Sequence, residues 1–229
     1  MLDIEKNYKS FIKYINTYIQ REGVDKLVEW LDTRTDAKIA PASTRYHLSC
    51  EGGFIRHSLN VFFNLIAIAE NYKTLYGFEY SKETIALVAL LHDISKVGFY
   101  KKIFKNVKNE ETQKWEQVAS YAVRDEDARL IYASQEENSI FILQNFIKLT
   151  YEEQLAIRYH MGATEGTDSF EQSRTMTAFK KCPLAFMLYM ADMQAMCVDE
   201  SNDGVANVRI PVEKAKEEKN DEQGTQLST

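Results

Sequence analysis

Apolar positions recur at three- and four-residue spacing along most of the chain, and that period predicts helices. Tyr8, Phe11, Ile12, Ile15, Tyr18 and Ile19 form one amphipathic stripe, which Gly23 can end, and Val24, Leu27, Val28 and Leu31 form a second, short one. From Thr33 to Ser49 the period fades and Pro41 intervenes, so this stretch reads as a loop. It leads through Cys50-Glu51-Gly52-Gly53 into a helix from about Phe54 to Tyr76. Two adjacent glycines permit a tight turn or a close backbone approach at the wall of a site. Ser81 and Glu83 open a helix that reads through to Lys96, with Ile85, Val88, Ala89 and His92 on its apolar stripe. After Gly98, the β-favouring stretches Tyr100 to Lys108 and Trp115 to Val123 flank a polar turn and predict a β-hairpin. Asp125 to Asn138 reads as irregular and is followed by a helix from about Ser139 to Leu149. Thr150 and Glu153 make a capping box for a helix through His160 that Gly162 stops. Gly162 to Ser173 reads as a loop, Arg174 to Lys181 as a short helix, and Pro183 opens a last helix to about Val198.

The class is therefore all-α, a helical bundle with a small hairpin insertion. With 229 residues, 45% of them hydrophobic, the chain can bury one sizeable core. The organisation expected is N-terminal helices over 1–32 packing on a body over 33–200, then a polar tail over 201–229 whose only β-like stretch is Val205 to Val212. The formal net charge is −6, but from Asp199 onward eight acids face four bases, so the rest is close to neutral. That balance disfavours a broad surface for duplex nucleic acid and leaves room for a local basic mouth. Cys50, Cys182 and Cys197 are odd in number and in no ligand spacing, which argues against a disulfide framework or zinc knuckle. Apolar runs such as Ile85 to Leu91 are too short to span a bilayer, and the first residues carry charge where a signal peptide is apolar. The expected location is cytoplasm, that of the host if the gene is carried by a phage. Self-association is left open.

The chemistry lies in polar residues set on apolar stripes. His57, His92 and His160, three of the four histidines, all occupy such positions, and Asp192 does so among Ala185, Leu188, Tyr189, Ala195 and Met196. Taken singly, each histidine reads as a satisfied core residue. Together with an acid that would be costly to bury unpaired, they read as ligands of a divalent ion, for which mixed nitrogen and oxygen donors are suited. Lys96 follows Asp93 by three residues, and Lys101, Lys102, Lys105 and Lys108 make the densest positive cluster in the chain. These lysines fit either phosphate binding or a charged hairpin edge, and Lys96 alone could be a helix-end charge.

Several stretches together resemble the HD superfamily of metal-dependent phosphohydrolases, in a small branch common in bacteria and their phages. They are Ala40-Pro41-Ala42-Ser43-Thr44-Arg45-Tyr46-His47, Gly52-Gly53-Phe54-Ile55-Arg56-His57-Ser58-Leu59-Asn60-Val61, Leu91-His92-Asp93-Ile94-Ser95-Lys96-Val97, Ile157-Arg158-Tyr159-His160-Met161-Gly162 and Met190-Ala191-Asp192-Met193. The resemblance covers about Thr33 to Glu200. It implies that His57, His92, Asp93 and Asp192 bind one ion and that His160 belongs to a second site. In related sequences the remaining histidine of that second site precedes the helix near Ser139, and here Gln135 stands in its place. One tightly held ion and a weak second are therefore expected, with Mn, Fe, Ni, Zn and Mg all open as its identity.

The expected activity is hydrolysis of a nucleotide or short phosphodiester by activated water. Asp93 would bridge two ions if both bind, and Lys96 would stabilise charge on phosphate. Arg45, His47, Lys101 and Lys102 are the candidates for substrate contact. Two alternatives stand beside this reading: a catalytically degenerate metal- or nucleotide-binding module, motivated by Gln135, and a di-iron oxygenase, which needs a full two-iron ligand set.

Overall fold

Asp3 starts the chain's first helix by accepting from the Lys6 amide at 3.0 Å, and the computed structural model describes residues 2–124, 134–163 and 167–200. This helix, α1 (Ile4–Tyr18), buries Tyr8, Phe11 and Ile15, the stripe read from the sequence, and α2 (Val24–Thr33) buries Leu27 and Leu31. Next come α3 (Gly53–Tyr76) and α4 (Lys82–Leu91), then a short 3₁₀ turn (Ile94–Lys96). Strands β1 (Tyr100–Lys108) and β2 (Trp115–Val123) pair antiparallel from Tyr100 opposite Val123 to Lys108 opposite Trp115. The remaining helices are α5 (Gln135–Gln144), α6 (Tyr151–Tyr159), α7 (Ser169–Lys181) and α8 (Pro183–Gln194), the last running into a wide π turn (Ala195–Asp199).

Helix α3 packs between α4 and α8, and α8 packs in turn against α6. One hydrophobic core runs through all of them, with buried members from Tyr8 to Ala195. The hairpin is anchored by a separate small cluster of Phe99, Tyr100 and Tyr121, while Phe104 and Trp115 farther out are exposed. The described residues thus form an all-α bundle, as the helical period predicted, with a hairpin after the His-Asp pair, as the β-favouring stretches predicted. None of the helices among the described residues is long and apolar enough to cross a membrane.

Several boundaries differ from the sequence reading, including the end of α5 at Gln144 in place of about Leu149, and three of them have a clear local reason. The helix expected to continue to Lys96 ends at Leu91, and Asp93 takes a non-helical conformation with φ −105° and ψ 19°. Lys96 N–H donates to Asp93 O, which closes the tighter turn, and the Ser95 amide donates to Ser139 Oγ at 3.2 Å on α5. Second, α5 starts at Gln135 and not near Ser139. Ser134 Oγ accepts from the Glu137 amide at 3.2 Å and Glu137 accepts from the Ser134 amide at 3.0 Å, so the acidic stretch read as irregular is a capped first turn. Third, α7 starts at Ser169 and not at Arg174, because Asp168 accepts from the amides of Phe170 and Glu171, each at 2.9 Å. The expectation for the tail over 201–229 lies outside the described residues, as does the part of the irregular stretch over 125–133.

Candidate metal centre

The Gly-Gly step sets the first wall of the site. Gly52 has φ +77°, and a Cβ on Gly53 would lie 2.1 Å from Leu48 O and 2.9 Å from Ala42 N. Only glycine permits this contact between the start of α3 and the loop before it. The loop is thereby laid across α3 so that the His47 ring packs on the His57 ring, centroids 4.7 Å apart.

His57 lies in the first turns of α3, His92 and His160 at the C-terminal ends of α4 and α6, and Asp192 near the end of α8. The helices bring all of them, with Asp93, to one buried place, Asp192 being 6% exposed and the others 3% or less. Asp192 Oδ1 lies 2.9 Å from His57 Nε2 and 3.8 Å from His92 Nε2. Asp93 Oδ2 lies 3.3 Å from His92 Nε2 and 3.7 Å from His57 Nε2, and its Oδ1 lies 3.6 Å from His160 Nε2. Three overlapping triads among the described residues, His57 with His92 and Asp192, His92 with Asp93 and His160, and His47 with His57 and Glu200, each place their donor atoms within 4.8 Å of one another.

The other ring nitrogen of each histidine is tied outward. His92 Nδ1 is 2.9 Å from Ala89 O, His160 Nδ1 is 2.8 Å from Ile157 O, and His57 Nδ1 is 3.0 Å from Glu200 Oε1. With Nδ1 donating in each neutral ring, all three Nε2 atoms would present lone pairs inward, and among the described residues none of them makes a well-formed hydrogen bond. Buried nitrogens without hydrogen bonds are costly unless something else satisfies them. Three such atoms facing two carboxylates fit a divalent cation.

The electrostatics agree with a cation-seeking site. Burial pushes the Asp93 carboxyl up, but Lys96 and His92 beside it hold it well below the usual carboxylate range. Asp192 is likewise opposed by burial and held low by His57. Burial pushes His57 down, yet Glu200 and Asp192 outweigh it and hold its pKa at about 10 in the absence of an ion. His92 stays below its ordinary value because burial outweighs the pull of Asp93. Burial, then the neighbouring His57 and Lys96, lower His47 to about 4, so it is neutral at neutral pH. Neither of its ring nitrogens has a hydrogen-bond partner among the described residues.

Lys96 is 7% exposed and reaches Asp93 Oδ2 at 2.5 Å. Other residues singled out from the sequence turn elsewhere. Arg45 is exposed and donates to the Tyr46 hydroxyl at 2.9 Å. Lys102 forms an exposed pair with Glu51 at 2.9 Å, and Lys101, its neighbour on the strand, faces the opposite side of the hairpin. Gln135 opens α5 with its amide 3.5 Å from the Tyr100 hydroxyl, and Glu136 is the acid of that turn that acts on His160. Glu200 and Asn60 were missed by sequence reasoning. Glu200 was the last residue of the expected body, beside the acidic stretch that begins at Asp199, and its one signal was to follow Asp192 by eight residues, two turns along the same stripe.

Residues 54–193 match the family model described as HD domain. A curated relative, the dihydroneopterin 2',3'-cyclic phosphate phosphodiesterase of Methanocaldococcus jannaschii, is 38% identical over 66 residues, 29% of this chain. The chain spans about a quarter of that relative's length, 26%. No solved structure matches the chain significantly.

Proposed function

This chain belongs to the HD-domain family, and from that membership we propose that it is a divalent-metal-dependent phosphohydrolase that opens a small cyclic phosphodiester of nucleotide size. The observation that carries the reading is the convergence of three inward Nε2 atoms on Asp93 and Asp192. His57, His92, Asp93 and Asp192 would hold the first ion, with His160 and the shared Asp93 available to a second. A divalent ion held there supplies charge for polarising a phosphoryl oxygen and for activating water.

The chain's own residues provide the rest. Lys96 is held by Asp93 at the rim of the cluster, where its ammonium can donate to a non-bridging phosphate oxygen. His47, neutral and with both nitrogens unpartnered, offers one donor and one acceptor to a bound phosphodiester beside His57. The cluster's burial excludes bulk water, which strengthens each of these interactions. A cyclic phosphodiester is favoured over a long nucleic acid by the near-neutral body and by what the Methanocaldococcus relative is named for.

The test is metal analysis of the purified protein, followed by product release from 2',3'- and 3',5'-cyclic nucleotides and from mononucleotides. One tightly bound ion per chain is expected, with hydrolysis of a cyclic substrate that a chelator abolishes and added divalent ion restores. A protein that holds its ion and turns over nothing in this panel would instead be a binding module, the reading that Gln135 favours by replacing an imidazole with a weaker amide donor. Oxygen consumption by an iron-loaded sample would point to oxygenase chemistry.

A further inference from the structure

We infer that Glu200 is the positioning residue for His57: it fixes that ring's tautomer and makes it the strongest of the three imidazole donors. The inference rests on the metal reading of the site. His92 and His160 use a neutral backbone carbonyl three residues earlier on their own helices. His57 sits at the other end of its helix, and its Nδ1 partner comes from 143 residues away in sequence. That partner is a carboxylate, with Oε1 at 3.0 Å and Oε2 at 3.3 Å. A charged acceptor on Nδ1 holds the proton there and raises the donor strength of Nε2 more than a carbonyl does.

Glu200 is itself held in place. It is buried at 7% exposure, Asn60 Nδ2 donates to Oε1 at 2.9 Å, and its amide donates to Ala195 O at 3.0 Å across the wide turn. Next to it, Asp199 accepts from Asn64 Nδ2 at 2.8 Å. Asn60 and Asn64, one and two turns beyond His57 on α3, therefore clamp the end of α8 against the ligand. The wide turn gives this clamp its purpose, since it redirects the chain after Asp192 so that a second carboxylate reaches the far side of the His57 ring. Charge supports the same assignment. With neutral histidines, the carboxylates of Asp93, Asp192 and Glu200 against the Lys96 ammonium leave two negative charges, the complement of one divalent ion.

The test compares parent, Glu200→Gln and Glu200→Ala after metal removal, reading zinc affinity by chelator competition, metal-free melting temperature, and the ring ¹⁵N shifts of His57. The expected result for Glu200→Ala is a loss of about 10–100-fold in affinity, the usual cost of removing such a partner. Glu200→Gln keeps an oxygen acceptor without the charge, and should recover part of that loss with His57 still protonated on Nδ1. Should Glu200→Ala fail to fold, Glu200→Gln decides alone: several-fold weaker zinc binding at an unchanged metal-free melting temperature is the expected outcome. Parent-like zinc affinity in the variants would overturn the inference. So would losses in affinity that simply track losses in metal-free stability, which a plain tether would give. A parent protein that takes up no zinc or other divalent ion overturns the metal reading, and this inference with it.

Discussion

Lys96 carries the most testable single-residue role. Its ammonium lies 2.5 Å from Asp93 Oδ2, and burial, which opposes its charge, is outweighed by Asp93, so that its pKa is raised. It is therefore a fixed positive charge beside the cluster and not a ligand. Lys96→Ala should leave metal content unchanged and lower kcat by about 10²–10³, the cost of removing one charge-stabilising donor, with little change in KM. Unchanged turnover would reduce the lysine to a partner for Asp93. The candidate site residues legible in the sequence were those whose polarity conflicted with their position on an apolar stripe: His57, His92, His160 and Asp192. Glu200 sat in a polar stretch where a glutamate raises no conflict, and Asn60 looked like an ordinary polar residue one turn after His57. Arg45, in a stretch that carries the resemblance, and Lys102, in the lysine cluster beside the His-Asp pair, were candidates for substrate contact; long side chains find partners in several directions, and here these are Tyr46 and Glu51.

At the scale of elements, the helices that carry His92 and His160 are tied together at their starts as well as packed into the core along their lengths. Glu153 shows how. It is fully buried and takes a bidentate pair from Arg21, both contacts at 2.6 Å, while also accepting from the Thr150 amide at 2.8 Å and the Thr84 hydroxyl at 3.1 Å. One carboxylate thus ties the chain just after α1, the start of α4 and the N-cap of α6, and the last two elements carry His92 and His160 at their far ends. Burial pushes Glu153 up, but the hydrogen bonds from Arg21, Thr150 and Thr84 outweigh it and its pKa is lowered. A carboxyl depressed in the folded state contributes stability that is complete above its unfolded pKa, about 4.3, and lost as pH falls through the lower folded value. Glu153→Gln should therefore cost roughly 2–4 kcal/mol at pH 7, near the low end for a broken buried pair because Arg21 keeps some exposure. It should also flatten the decline in stability below about pH 4.5. Denaturant melts of both proteins at pH 7 and pH 3.5 check this, and an equal difference at the two pH values would show that the carboxylate's charge is not what matters. The capping box at Thr150 was legible from the sequence, whereas the one at Ser134 was passed over because the polar run from Ser134 to Ser139 resembled a loop. The Arg21 partner is 132 residues away in sequence, a separation that no local pattern records.

The whole molecule does not divide where the family match does. Residues 54–193 carry the match, yet the core that supports them includes Phe11, Ile15, Ile19, Leu27 and Leu31, each 1% exposed or less. Helix α1 packs on both α3 and α4, the helices that present His57 and His92. Fold class was readable from period and composition because a 3.6-residue stripe is a property of single segments. How the segments share one core is a property of their contacts, so the first 32 residues read as an accessory layer on the body. Burying an aliphatic or aromatic side chain contributes about 1.5–3 kcal/mol, so these five residues together account for roughly 7–15 kcal/mol, comparable to the whole stability of a domain. The Arg21 pair with Glu153 would be lost with them. A chain beginning at Arg34 should therefore show no cooperative thermal transition by circular dichroism, and should bind no divalent ion even though every proposed ligand remains. A chain ending at Glu200 should instead melt cooperatively and keep the ion, because it retains both the core from Tyr8 to Ala195 and the Glu200 contact to His57. Cooperative melting of the chain that begins at Arg34 would make the N-terminal helices an accessory layer after all. Loss of the ion from the chain that ends at Glu200 would place part of the metal centre's support in residues 201–229.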